Sequence, residues 1–242
     1  MLLGIDEAGR GPVMGPMVVA AAAHHDQSVL RSMGARDSKE VPPEERARLD
    51  VELRKVCRVC LMVVPAEAID AFLEGSTMNE LEVLCFASCI ASMHQGRPVM
   101  HSRVPSSVVA EISSPGADIT IVHADAADVN ERRFGERISD LLASMVPGAT
   151  FKVIAEHKAD RDHPLVGAAS IIAKVRRDSE MMRIGSELGA AVGSGYPSDP
   201  ITMAFLTNHV RRTGALPPHS RKSWETSRRV LASSKQKSIE SF

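Results

Sequence analysis

Residues 4–17, Gly-Ile-Asp-Glu-Ala-Gly-Arg-Gly-Pro-Val-Met-Gly-Pro-Met, constrain this chain more than any other stretch. Met1, Leu2, Leu3 and Ile5 read as an apolar strand that delivers two adjacent carboxylates, Asp6 and Glu7. A loop containing Gly9, Gly11 and Gly15 follows, interrupted by Arg10, and Met17 to Ala23 is then a continuous apolar run. The pair predicts an antiparallel hairpin. Two acids beside such a turn make little sense as packing, since burying a carboxylate unpaired is costly. Glycines let backbone approach a ligand closely, and successive N–H groups in such a turn form an anion-binding nest. Carboxylates for a cation, with amides and an arginine for phosphate, point to a phosphodiester site. A hairpin tip with solvated acids would use the same residues, so the rest of the chain must decide.

The remaining elements follow from local signals. Asp37-Ser38-Lys39 closes a polar loop, and Pro42-Pro43-Glu44-Glu45 opens a helix to about Val56, with proline in its first turn and acids at its positive end. Val59–Val64 reads as a strand and Ala66–Phe72 as a short helix. Thr77 and Glu80 form a capping box ahead of a helix that ends near Gly96. Asp118–His123 predicts a strand running into Ala124-Asp125, Glu131–Met145 an amphipathic helix, and Phe151–Ala155 a strand leading to Lys158-Ala159-Asp160. A largely apolar helix from Leu165 continues past Lys174. Alternating strands and helices in the second half predict parallel pairing through right-handed crossovers. With the hairpin of the first half, this is an α/β chain with a mixed sheet and helices on both faces.

From Gly193 the character changes. Gly-Ser-Gly-Tyr-Pro-Ser-Asp-Pro is a tight loop holding the chain's one tyrosine, Tyr196, followed by a helix over Asp199–Arg212 and a final polar helix. Between residues 211 and 237, Arg211, Arg212, Arg221, Lys222, Arg228, Arg229, Lys235 and Lys237 face one acid, Glu225. In a 242-residue chain of net charge −1, so one-sided a run points to a polyanion. No apolar run is long enough to span a bilayer, and Met1-Leu2-Leu3 lacks the flank of a signal peptide, so the expectation is a cytosolic protein. The four cysteines, Cys57, Cys60, Cys85 and Cys89, sit on a strand and an apolar helix without turn residues, and read as buried thiols, not a zinc site.

Asp6, Asp125 and Asp160 each lie on or just beyond an expected strand. Ligands of open α/β sheets bind outside the strands' carboxyl ends. If these strands are neighbours, the acids converge, and hard oxygen donors with few histidines favour Mg²⁺ or Mn²⁺ over zinc. Two such ions can activate a water and stabilise a leaving oxygen in phosphodiester hydrolysis. Adjacent residues point to opposite faces of an ideal strand, so Glu7 joins Asp6 only where the strand ends and twists.

Seven ordered stretches carry a resemblance: Gly4-Ile-Asp-Glu-Ala-Gly-Arg-Gly-Pro, Asp37-Ser-Lys39, Asp125-Ala-Ala-Asp-Val, Lys158-Ala-Asp160, Ala168-Ala-Ser-Ile-Ile-Ala-Lys-Val, Gly193-Ser-Gly-Tyr-Pro-Ser-Asp-Pro and Arg221-Lys-Ser-Trp224. They resemble the motifs of ribonuclease HII, in that family's order and over nearly the whole chain, and are most similar to the single-chain archaeal type. The resemblance implies a ribonuclease H-like fold over residues 1–192 with a helical substrate-binding extension over 193–242. It implies an endonuclease for RNA–DNA hybrids and for ribonucleotides embedded in duplex DNA, using two Mg²⁺ or Mn²⁺ ions held by Asp6, Glu7, Asp125 and Asp160. It further implies that Gly9, Arg10 and Gly11 read the ribose 2′-hydroxyl, that Tyr196 lies against the sugar on the DNA side, and that Lys39 and Ser170 contact phosphates. Gly167 stands where the family commonly has serine. The last residues, Gln236 to Phe242, resemble a sliding-clamp-binding peptide, with one terminal aromatic in place of two. A monomer with no membrane contact is expected. Ribonuclease HIII would carry an extra N-terminal domain, a non-catalytic hybrid-binding subunit would lack an acid, and nucleotide-binding glycine motifs are absent from the sequence.

Overall fold

The computed structural model describes residues 1–113 and 115–239, and side chains to residue 233. The hairpin is present: β1 (Leu2–Ala8) pairs antiparallel with β2 (Met17–His24). A short helix α1 (Gln27–Ser32) and a 3₁₀ turn (Ser38–Glu40) lead to α2 (Pro43–Val56) and β3 (Arg58–Val64). Then come α3 (Ala66–Leu73), α4 (Met78–Gln95), β4 (Val109–Ile112), β5 (Ile121–Asp125), α5 (Glu131–Met145) and β6 (Lys152–Glu156). The chain continues through α6 (Ala159–Asp162), α7 (Pro164–Glu187), α8 (Pro200–Thr213) and α9 (Glu225–Ile239). The sheet order is β4-β3-β2-β1-β5-β6, antiparallel from β4 to β1 and parallel from β1 to β6. This is the mixed sheet expected from the sequence, with helices on both faces.

Sheet alternation sorts the core into two layers. Leu3, Ile5, Val19, Ala21, Val122 and Ala124 pack against α4 and α5, where Phe86 and Phe134 meet edge to face at 5.5 Å. Val18, Ala20, Ala22, Val59 and Leu61 face the opposite way, onto α7 and α2. Helix α7 lies close on β1: a Cβ on Gly4 would stand 2.2 Å from the Leu165 carbonyl carbon and 2.3 Å from Val166 N. Gly4→Ala must push two backbones apart. Overpacking of this kind costs about 1–3 kcal/mol, so the melting temperature should fall by several degrees; an unchanged melt would refute the close approach.

Several expectations need correction. β5 and β6 are displaced toward their carboxyl ends, so Asp125 is the last residue of β5 rather than a residue beyond it. α7 is far longer than its apolar part, because Arg176, Glu180, Arg183 and Glu187 chain i,i+3 and i,i+4 ion pairs along its outer face. α1 and β4 had no sequence signal strong enough to read. The capping box is half made: Thr77 accepts from Glu80 N, but the Glu80 carboxylate turns to Arg103 and Arg137. All four cysteines are buried free thiols, and burial pushes Cys57 up to about 12. The segment after residue 192 packs a small third cluster, Val13, Met14, Met181, Ile184, Val192 and Leu206, beneath the glycine loop. Residues 240–242, and with them the end of the clamp-like peptide, lie outside the described residues.

Candidate active site at the strand ends

The register of β1 against β5 runs from Leu2↔Ile121 to Ile5↔Ala124, so Asp6, inside β1, and Asp125, the last residue of β5, lie side by side one step past the last pair. Asp160 reaches the same place by another route. After β6 the chain turns through Lys158, whose φ is +60°, into α6, and Ala159 N donates to Asp125 Oδ1 at 2.9 Å. Asp160 is therefore buried in the first turn of a short helix, not at a strand end. Glu7 is still inside β1, and the pleat sends it to the α4 side, toward Glu82 and Arg10, while Asp6 faces α7. Both nevertheless feel the Asp125 charge. The two acids lie on opposite faces of β1, and the Asp125 charge reaches both without the strand ending between them.

Burial raises the Asp6 carboxyl well above its ordinary range, and Glu7 and Asp125 add to the effect. Burial also raises Glu7, helped by Glu82 and Asp125 and opposed by Arg10. Burial, then Asp125 and Asp37, lift Asp160 to about 6, and burial raises Asp125. Glu82, fully buried on α4, is pushed up to about 7 by burial against the pull of Arg10. Glu7 Oε2 is buried with no hydrogen-bond partner. Crowded carboxylates with an orphaned oxygen are a donor set that a hard divalent cation satisfies, so these residues fit such an ion.

The sign of the pH dependence follows. Carboxyls whose folded pKa is raised hold protons in the native state that the unfolded chain has released, so stability falls as pH rises. The window runs from about 4, the unfolded carboxyl range, through about 6 for Asp160 and about 7 for Glu82. Chelator-treated protein should lose melting temperature between pH 4.5 and 7.5, roughly the span of those pKa values. Mn²⁺ or Mg²⁺ should restore it at the upper end. A flat profile with no effect of either ion would show that the acids are not mutually strained.

The glycine loop is held in place from the C-terminal segment. Gly9 has φ +88°, and a Cβ there would sit 2.6 Å from Pro16 O. Arg221 donates from Nη2 to Gly9 O at 2.5 Å, from Nη1 to Arg10 O at 2.7 Å and from Nε to Gly15 O at 3.0 Å. Trp224 Nε1 donates to Gly11 O at 3.2 Å. Backbone bonds join Val13 and Met14 to Gly195, and Arg221 N to Val13 O. Arg221 is fully buried, with burial pulling it down to about 9, and so is no polyanion contact. Exposed Arg211, Arg212, Lys222, Arg228 and Arg229 remain as the basic face. Arg10 is also corrected: its guanidinium is not turned to a phosphate but bonded to Asn79 Oδ1 and Ala127 O, and paired with Glu82 at 3.3 Å.

Of the other expected residues, Tyr196 is brought to the loop, 3.9 Å from where a Gly11 Cβ would stand, with its ring over buried Arg177 at 5.1 Å. Lys39 is exposed. Burial lowers its pKa, but Asp37, Asp160, Asp6 and Asp125 outweigh that and hold it raised. Ser170 is buried, donating to Ser38 at 3.0 Å and lying beside Asp6. Gly167 has a local reason: a Cβ would come within 2.8 Å of the Arg36 backbone, so the loop carrying Asp37 and Lys39 rests on the bare helix. Sequence reasoning missed Glu82, Asp37 and Arg177. Nothing in a helix pattern marks a glutamate or arginine as buried.

With this geometry in hand, relatives decide the class. The ribonuclease HII family profile matches residues 3–227. The ribonuclease HII of Methanoregula boonei is 38% identical over 242 residues, covering 100% of both chains. The chain belongs to the ribonuclease HII family. The ribonuclease H2 of Pyrococcus horikoshii is a structural relative at TM-score 0.79 and 34% identity, covering 97% of this chain and 99% of that one. Ribonuclease HII from Archaeoglobus fulgidus, solved in a PCNA complex, matches at TM-score 0.76 and 34% identity, covering 95% and 96%. As a ribonuclease HII the chain is an endoribonuclease acting on RNA–DNA hybrids, in a family that depends on divalent metal. No helix among the described residues is long and apolar enough to cross a membrane.

Proposed function

We propose that this ribonuclease HII cuts the RNA strand of RNA–DNA hybrids and also cuts duplex DNA on the 5′ side of embedded ribonucleotides, leaving 5′-phosphate and 3′-hydroxyl ends. Asp6, Glu7, Asp125 and Asp160 hold two Mg²⁺ or Mn²⁺ ions. When bound, the ions supply an activated water and stabilise the leaving oxygen.

The observation that carries the reading is the orientation of the glycine loop. In a trans peptide the C=O and the following N–H point opposite ways. Arg221 holds the Gly9 and Arg10 carbonyls, so the N–H groups of Arg10 and Gly11 point away from it. Among the described residues neither donates a hydrogen bond. Two aimed amides beside the acids suit a ribose 2′-hydroxyl, the group that separates RNA from DNA. Lys39 contacts a phosphate and Tyr196 lies against the deoxyribose beyond the cut; Ser170, buried against Ser38 and Asp6, supports that acid in place of the phosphate contact expected of it. Residues 193–242 extend a catalytic domain of residues 1–192, and their exposed bases grip the duplex backbone. The PCNA complex of the A. fulgidus enzyme supports a sliding clamp as partner. On our reading the enzyme is a monomer and residues Gln236 to Phe242 make the clamp contact.

The test is a labelled DNA duplex containing one ribonucleotide, incubated with Mg²⁺, Mn²⁺ or chelator. Cleavage on the 5′ side of the ribonucleotide with either ion, none with chelator and none on all-DNA duplex is expected. Cleavage of long hybrids alone would refute the junction reading. Tyr196→Ala should lose roughly tenfold or more on the single-ribonucleotide duplex, the scale of one lost stacking contact, and less on a continuous hybrid. Equal losses with a lowered melting temperature would reduce Tyr196 to a packing role.

A further inference from the structure

Behind the acid cluster, on the same face of the sheet, lies a second group of potential ligands that the reaction does not use. His123 of β5 sits two residues before Asp125, Glu156 ends β6, and His163 caps the start of α7. The alternation that turns Val122 and Ala124 toward α4 and α5 turns His123 the other way, and Val153 and Ala155 do the same for Glu156. One ring nitrogen of each histidine and one Glu156 oxygen lie within 4.8 Å of one another. His163 Nε2 is 2.6 Å from Glu156 Oε2, and the two imidazoles stack at 4.0 Å with 25° between planes. His123 Nδ1 is buried without a hydrogen-bond partner. A stacked pair of histidines with one ring nitrogen unpaired and a carboxylate alongside brings three ligand atoms toward one point.

We propose that His123, Glu156 and His163 form a transition-metal site, separate from the Mg²⁺ or Mn²⁺ site, that takes Zn²⁺ or a similar imidazole-preferring divalent ion. Two imidazoles and one carboxylate are a donor set that zinc accepts with a water in the fourth position, and one that Mg²⁺ binds poorly. His123 and His163 are half-buried and Glu156 is open to solvent at the end of β6, so an ion can enter and only side-chain rotation is needed to close the ligands around it. The ion would tie together β5, β6 and the start of α7. These are the elements that carry Asp125 and flank Asp160, so binding would stiffen one wall of the acid cluster without occupying it.

The test uses full-length protein stripped with chelator and then kept in excess Mg²⁺ to fill the acid cluster. Calorimetric titration with Zn²⁺ should show one site of micromolar or tighter affinity and a raised melting temperature. Co²⁺ in place of Zn²⁺ should give the visible absorption of a nitrogen-ligated, four-coordinate ion. Removing hydrogen-bond partners of ligands already weakens metal sites by roughly 10- to 100-fold, so His123→Gln, His163→Gln and Glu156→Gln should each weaken binding by at least that much. Circular dichroism confirms that each variant is folded. Asp6→Asn should bind Zn²⁺ like the parent. Zinc affinity unchanged in all three variants, or lost in Asp6→Asn, would overturn the proposal, the second by placing the ion in the acid cluster.

Discussion

Asp125→Asn should abolish hydrolysis while leaving the fold intact. Asp125 meets every other member of the cluster: it adjoins Asp6 across the β1–β5 register, raises Glu7 and Asp160, and anchors Ala159 N. Asparagine keeps the shape and can still accept from Ala159 N, but removes the charge that holds a cation. A metal's share of transition-state stabilisation is several kcal/mol, so the rate should fall by roughly a thousandfold or more. Loss of a mutually repelling charge should leave the melting temperature of chelated protein equal or higher at neutral pH, because the remaining acids no longer oppose it. Single-turnover cleavage beside a melt in chelator measures both. Parent-like turnover in Asp125→Asn would sink the assignment of the four acids.

Arg221→Met should have the second largest effect, and on stability as well as activity. The side chain is fully buried, its guanidinium bonded to the carbonyls of Gly9, Arg10 and Gly15 and its face against Trp224 at 4.8 Å. Methionine fills the space but leaves the buried Gly9 and Gly15 carbonyls unpaired, at about 1–3 kcal/mol each, and the half-buried Arg10 carbonyl without its donor. A loss of about 3–5 kcal/mol is expected, lowering the melting temperature by roughly 10 °C for a chain of this length. Activity on the single-ribonucleotide duplex should fall further than the folded fraction does, because the Arg10 and Gly11 amides lose the groups that aim them. Arg221→Lys should not restore it, since one ammonium cannot reproduce a planar fork across three carbonyls. A parent-like melt in Arg221→Met would show that the loop holds itself.

What the sequence determined is local or periodic. The acids carried by an apolar strand, the glycine turn, the proline-started α2 and the Thr77-capped α4 each rest on the chemistry of a few neighbouring residues, and each formed where it was read. Strand–helix alternation was enough for a mixed sheet, because right-handed crossovers leave little choice of order. Tertiary structure decided what depends on partners far along the chain. A one-step pleat turns Asp6 to α7 and Glu7 to α4, and only the β1–β5 register shows that Asp125 meets both. Asp160 arrives through a helical turn that no strand pattern foretells. Charge density read Arg221 as a polyanion contact and the glycine loop read Arg10 as a phosphate ligand, whereas the fold buries the first under that loop and commits the second to Asn79 and Glu82. A charged side chain in a sequence carries no mark of its solvation. Whether it meets water or a backbone carbonyl 212 residues away is settled only when the chain has closed on itself.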